Sequence, residues 1–350
     1  MLALRTLVVR TLTMIGVLIV VQALVVVSLG ATGYSDRMLS AAVGEELRGL
    51  RTSLAQTIRD PDKLEQTLQA RKIEIERSYG LDRPWYTRLP ALVLRVFRLD
   101  LGEAHTLRSF TGSSRVADIV RERIPNSMIL LTTSLILTAI IGIAVGVRLA
   151  QRPGSFLDRF ISSLSAVSFA LPTWWLGILF ILIFAFQLRV LPTGGMYSAP
   201  PPIGALPRFF DLLYHALLPV ITLVVASVGP YIYSVRTMTL NVAQADHVAV
   251  ARAKGMPEAT IARRHVLRVA APPIVTGLVL GFTGTLGGSI LVETVFNWQG
   301  MGRLYYDAIA GTPDEMVIVA LTFIYTLIYV AARLLLEILY VVLDPRVRYE

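Results

Sequence analysis

Five apolar stretches, each long enough to cross about 30 Å of hydrocarbon at roughly 20 helical residues per crossing, leave this chain few ways to fold. They run near Leu7–Leu29, Met128–Ala150, Ile161–Phe186, Leu212–Val235 and Pro273–Val292. A sixth, Val317–Leu343, is cleanly apolar only as far as Ala332 and then carries Arg333 and Glu337. In hydrocarbon every backbone N–H and C=O must be paired inside the protein, which leaves helices or closed barrels. Nothing alternates polar with apolar over the ~10 positions a barrel strand needs. The sequence therefore predicts an all-α membrane protein with six transmembrane helices.

At 54% hydrophobic and 16% charged, the chain is too apolar for an ordinary soluble domain. Its net charge of +9 would suit a nucleic-acid partner, but the placement of the charge argues against one. Lys and Arg in short loops mark the cytoplasmic side of a membrane protein. With the N-terminus inside, the inner segments hold Arg148, Arg152, Arg159, Arg236, Arg252, Lys254, Arg263, Arg264, Arg268, Arg346 and Arg348. The two short outer loops hold only Arg189, Arg208 and Arg303. Both termini and the segment after the fourth span are therefore expected in the cytoplasm, as in a multi-pass plasma-membrane (cell inner membrane) protein. The first span is expected to be a retained anchor. Its apolar run exceeds the ~7–15 residues of a signal peptide, and no clear A-x-A site ends it. The absence of cysteine excludes disulfides, thiolate chemistry and sulfur-ligated metals.

Three regions follow: residues 1–30 as N-terminus and first span, 31–126 as an extracytoplasmic helical segment, and 127–350 as the core with the remaining five spans. In the outer segment Leu39, Val43, Leu47, Leu50, Leu54 and Ile58 recur at helical spacing. Asp60-Pro61-Asp62 reads as an N-cap, a first-turn proline and a dipole-matched acid. A second helix with Leu64, Leu68 and Ile75 should end at Gly80. A helical hairpin on the outer face is the expectation.

Glycines punctuate two spans: Gly142 and Gly146 in the second, Gly277, Gly281, Gly284 and Gly288 in the fifth. Pro172, Pro219 and Pro230 interrupt the third and fourth. Two readings stay open. Such faces allow close helix packing, or they line a translocation pathway, for which the candidates are Pro172, Trp174, Gly281, Thr285 and Ser289.

The polar stretch from Arg236 to Pro273 carries six basic residues against Asp246 and Glu258. Gly255 permits the left-handed turn a helix end favours, Pro257-Glu258 suits the start of a second helix, and Pro272-Pro273 should close the unit. Ala259, Ala262, Val266 and Val269 form one narrow apolar face, with Ile261, His265 and Arg268 on another. Such an element could rest in a partner's groove or lie against lipid phosphates.

The acid Asp246, the run Ala251-Arg252-Ala253-Lys254-Gly255, and the Arg264-His265-x-Leu267-Arg268 cluster resemble the "EAA" loop of ABC-importer permeases, in the dipeptide, oligopeptide and nickel branch. Further landmarks resemble that branch in order: Tyr79–Pro84, Asp100-Leu101-Gly102, Ala170–Gly177, Leu191–Gly195, Val292–Phe296, Gly300–Leu304 and the tail Leu343–Tyr349. Together they cover roughly Tyr79 to the C-terminus. The branch's Pro-Gly-Asp-Pro element has no counterpart at Gly30–Asp36, so the helix near Leu39–Ile58 looks like an insertion. The resemblance implies a type I ABC-importer permease fold, a second homologous permease, two ABC ATPases, an extracytoplasmic solute-binding protein and surrounding lipid as partners, and alternating access driven through the coupling loop at about 236–273. It implies ATP and Mg bound by the partner ATPases; no cofactor, metal or catalytic residue is expected in this chain. No G-x-x-x-x-G-K-[ST] occurs, and an intramembrane serine protease built on Ser289 lacks a histidine in the sixth span. A stand-alone secondary transporter or channel is the competing class. It would need ionisable groups near mid-membrane, which the interiors of spans two to five lack. Peptide, nickel and other small solutes remain open as cargo.

Overall fold

A computed structural model describes residues 2–311 and 314–343, apart from the side chains of residues 2–8, 89, 282–288, 311 and 338–343. The expected tail motif at 344–349 lies outside the described residues. Among those residues the chain is helical, and the one β-type pairing is a single antiparallel bridge between Glu103 and Arg115. Among the described residues, four helices are long and apolar enough to cross a membrane: Val9–Ala31, Val116–Gln151, Ala205–Ala243 and Glu315–Glu337. A bent pair, Phe156–Ala170 with Thr173–Gln187, makes a fifth if counted as one span. The expected span Pro273–Val292 falls inside helix Arg268–Val295.

The chain divides into two compact units, residues 123–303 with both terminal ends, and residues 5–122 with 304–330. In the second unit, α1 (Leu2–Ala31), α4 (Trp85–Phe97) and α13 (Glu315–Leu343) share a core of Leu18, Val26, Val96, Val319 and Phe323. Gln22, fully buried in α1, donates through Nε2 to the Val319 carbonyl at 2.8 Å. That bond spares an amide the cost of lying unpaired among apolar groups. The two helices expected in this segment are present, α2 at Tyr34–Leu54 and α3 at Pro61–Ser78. The Asp60 carboxylate caps α3 by accepting from Asp62 N at 3.1 Å. The chain leaves α3 through Gly80 at φ +69°, with Leu81 N donating to Glu76 O at 2.9 Å. Met38, Leu39, Ala42 and Val43 are buried, while α2 ends before Ile58.

The first unit holds α5 (Val116–Gln151, from residue 123 on), α6 (Phe156–Ala170), α7 (Thr173–Phe180), α8 (Ala205–Ala243) and α11 (Arg268–Val295). Its core gathers Leu130, Leu218, Leu223, Val292, Phe296 and Trp298. Trp298 is fully buried and donates its indole N–H to Asn126 O at 2.9 Å. The third expected span is not one straight helix. It turns by 98° between Ala170 and Thr173, because Pro172 forces Leu171 into an extended conformation (φ −87°, ψ 125°). Pro219 and Pro230, expected to interrupt the fourth span, instead lie within a continuous 39-residue helix, α8. The Gly142 and Gly146 face serves close packing. A Cβ at Gly142 would fall on the Tyr231 ring, and one at Gly146 would lie 2.8 Å from Val235 Cβ and 2.9 Å from Ile232 O.

Candidate functional site

Helix α9 (Asp246–Ala253) follows α8 after a two-residue turn, with Asp246 in its first turn, where a negative charge meets the positive end of the helix. It stops at Lys254, and Gly255 takes φ +71°. The turn is closed by Gly255 N to Arg252 O at 2.9 Å and Met256 N to Ala251 O at 3.4 Å. A Cβ at Gly255 would meet nothing within 4 Å. The glycine is thus required by backbone conformation and not by space.

The return limb departs from expectation in two ways. Pro257 precedes the helical residues Glu258–Thr260 (α10), and the chain then passes through a wide i→i+5 turn at Ile261–Leu267 directly into α11. Pro272 and Pro273 lie inside α11 and do not close the element. The wide turn also resets the face. Ile261 and Val266, five residues apart, are buried, while Ala259 and Val269 are exposed. A five-residue repeat suits π-type geometry, so the face drawn for a regular helix is rotated out of register.

Val248 and Ala251 on α9 meet Ile261 and Val266 in one apolar cluster, with Val242, Ala243 and Met256 packed against it. This cluster fixes the two limbs as a short wedge. His247 Nε2 lies 3.1 Å from His265 O across it. The exposed Arg252–Glu258 pair at 2.9 Å spans the Gly255 turn and contributes about 0.2–1 kcal/mol. Of the predicted loop residues, Ala251 is buried and His265 half-buried. Asp246, Arg252, Ala253, Lys254, Gly255, Arg264 and Arg268 face outward together with Arg263 and Val250. The result is a basic surface on a rigid base.

At the root of this wedge the structure adds a contact that sequence reading missed. Arg236, near the end of α8, grips Asp158 of α6 with two hydrogen bonds, Nη2 to Oδ2 at 2.7 Å and a second from Nε to Oδ1. Asp158 also accepts from Gly154 N at 2.8 Å. Its side chain is 3% exposed and that of Arg236 17%. The signal available was a lone acid within the basic run Arg148–Arg159.

The pathway candidates stand in different surroundings. Pro172 and Trp174 stand exposed at the α6–α7 bend, and Gly281 lines a cavity. The Thr285 side chain lies outside the described residues. Ser289 is buried and hydrogen-bonds to Glu293. Glu293 itself is fully buried, accepting from Ser127 Oγ at 2.7 Å and from the backbone N–H groups of Gly302 and Arg303 at 2.8 and 3.1 Å. It thereby anchors the start of α12 (Met301–Tyr306).

Residues 142–349 match the family described as "Binding-protein-dependent transport system inner membrane component". The oligopeptide transport system permease protein AppB of Bacillus subtilis is 31% identical over 321 residues, covering 92% of this chain and 95% of that one. The glutathione transport system permease protein GsiC of Escherichia coli K12 is 32% identical over 282 residues, 80% of this chain and 86% of that one. Among solved structures, the MetNI methionine ABC transporter in inward-facing form aligns with TM-score 0.47 at 19% identity, over 62% of this chain and 94% of that one. With a match of this extent, the chain belongs to the inner-membrane permease components of binding-protein-dependent ABC importers.

Proposed function

We propose that this chain forms half of the translocation pathway of an ATP-driven peptide importer, with a second, homologous permease as the other half. The cargo class rests on the oligopeptide and glutathione permeases it resembles. In this reading six helices cross the membrane, both termini are cytoplasmic, residues 31–126 lie outside, and the loop at about 236–273 faces two ATPase subunits that bind ATP and Mg. A solute-binding protein delivers cargo from outside.

The observation that carries the coupling role is the wedge itself. It presents exposed Asp246, Arg252, Lys254, Gly255, Arg264 and Arg268 on a buried apolar cluster that prevents the two limbs from moving separately. ATP binding would draw the ATPases together and push the wedge, and the different affinity of ATP for the two ATPase arrangements supplies the driving force. Arg236 and Asp158 extend the route, because a push on α8 is handed to α6 through a charge-assisted bidentate pair. The test is to purify the assembled particle, identify the solute its binding protein carries, and measure ATP-driven uptake in vesicles. Uptake by this chain alone, without an ATPase, would favour the secondary-transporter class and sink the proposal.

A further inference from the structure

Three sequence landmarks that the wedge does not use, Leu191–Gly195, Val292–Phe296 and Gly300–Leu304, meet at one place in the 123–303 unit. At its centre is Glu293, in the last turn of α11, the end remote from the wedge. Besides Ser289 of its own helix, the buried carboxylate takes hydrogen bonds from two other segments. Ser127 Oγ of α5 donates to Oε1 at 2.7 Å, while Gly302 N and Arg303 N donate to Oε2 at 2.8 and 3.1 Å. Ser127 Oγ in turn accepts from Met301 N at 2.7 Å. The third landmark joins through Gly195 N, which donates to Phe296 O at 2.8 Å.

The junction has no slack. A Cβ at Gly300 would fall against the Glu293 carboxylate and the Ser127 hydroxyl. One at Gly302 would lie 2.7 Å from Ile290 Cα, and one at Gly194 2.5 Å from Phe296 O. Backbone bonds run beside the side-chain ones. Trp298 N donates to Glu293 O at 2.7 Å and its indole N–H to Asn126 O at 2.9 Å, while Asn126 Nδ2 donates to Gln299 O at 2.6 Å. A buried carboxylate is tolerated only where donors surround it, and stripping a donor from a buried acceptor is costly. The bonds at this junction therefore hold as a set.

We propose that Glu293 is a positioning residue for coupled transport: it clasps α11 to α5, so that this end of both helices and the 296–303 segment move as one body throughout the cycle. The inference rests on the coupling role proposed for the wedge. Helix α11 continues directly from the wide turn at Ile261–Leu267. A push on the wedge enters α11, and the clasp passes it to α5, as the Arg236–Asp158 pair passes it from α8 to α6. The clasp works by reach and not by charge. In a glutamine the amide oxygen can accept from Gly302 and Arg303, and the NH₂ can donate to Ser127 Oγ, whose two lone pairs also serve Met301 N–H. An aspartate, one methylene shorter, withdraws from donors now at 2.7–3.1 Å and loses them.

The experiment uses the assembled importer in vesicles, with saturating binding protein, and measures ATP-driven uptake of tri-alanine together with ATP hydrolysis. Peptide imported per ATP hydrolysed is expected to stay within twofold of the unsubstituted complex in Glu293→Gln and to fall at least fivefold in Glu293→Asp. A residue needed only for folding would lower the yield of assembled complex and leave that ratio alone, so an unchanged ratio in Glu293→Asp overturns the proposal. A glutamine variant as defective as the aspartate one overturns it too, by assigning the role to charge. The second arm leaves Glu293 in place. Because the chain has no cysteine, Asn126→Cys with Gln299→Cys can be joined by a short bifunctional thiol reagent, which ties α5 to the 296–303 segment. Uptake is expected within twofold of the same double variant before joining. A block would mean that the junction opens in each cycle, and it overturns the proposal even where Glu293→Asp fails to assemble. If the unsubstituted complex hydrolyses ATP yet imports no tri-alanine, the coupled peptide-importer reading itself has failed, and the clasp's role falls with it.

Discussion

Replacing Gly255 with valine tests the wedge at its tip. Gly255 holds φ +71°, and a Cβ there meets no neighbour within 4 Å, so branching at that carbon starts from open space. What it meets is the left-handed conformation, which costs an L-residue roughly 1–2 kcal/mol, and a β-branched one is the poorest fit. A cost of that size corresponds to about a 5- to 30-fold population shift away from the turn closed by Gly255 N–Arg252 O and Met256 N–Ala251 O. The assay is peptide uptake per ATP hydrolysed by the importer in vesicles. Gly255→Val should lower that ratio about tenfold with normal membrane insertion, and Gly255→Asn, which tolerates φ > 0, should stay within about threefold of the unsubstituted protein. An unchanged ratio for valine refutes the conformational argument. An asparagine variant as defective as valine also refutes it, since the glycine would then be needed for close approach of a partner.

Two further outcomes follow from contacts away from the tip. Asp158→Asn or Arg236→Gln alone should destabilise the assembled complex by about 3 kcal/mol, the low end for breaking a buried pair, because Arg236 keeps some solvent contact. Thermal unfolding should register this, and the swapped pair Asp158→Arg with Arg236→Asp should recover part of it; single variants as stable as the parent would remove this contact from the coupling route. His105 packs against the Tyr79 ring at 4.5 Å, and burial, opposed by Asp314, Glu46 and Glu103, holds its pKa below the usual 6.5. The unfolded chain therefore takes up this proton first, so the stability tied to neutral His105 is present above about pH 6.5 and is lost as pH falls through its lowered value. Comparing pH-dependent unfolding with His105→Gln should show a shallower acid slope in the variant, and identical slopes would contradict the assignment.

Much of this fold was legible because its local signals were chemical. Asp60-Pro61-Asp62 started α3 and Gly80 ended it as capping rules require. The Gly255 turn was readable for the same reason. Errors arose where the effect of a residue depends on what surrounds it. Pro172 bends the chain by 98°, yet Pro219 and Pro230 sit inside an unbroken helix, a difference that no rule about proline alone supplies. The face of the return limb was misassigned because the wide turn at Ile261–Leu267 replaces the 3.6-residue repeat. Helix α4 went unread, with Pro90 in its middle masking a 13-residue helix. The Asp158–Arg236 pair joins positions 78 residues apart, and charge counting had treated Arg236 only as a mark of the inner side.

Because the chain contains no cysteine, Lys254→Cys places one thiol in this subunit, at the exposed tip of the wedge. In sealed vesicles of known orientation, a membrane-impermeant maleimide should reach that thiol only from the cytoplasmic side. A short bifunctional thiol reagent should join this chain to an ATPase subunit in the assembled importer. Labelling from the outside, or an assembled complex in which the thiol never cross-links to an ATPase, would contradict the account.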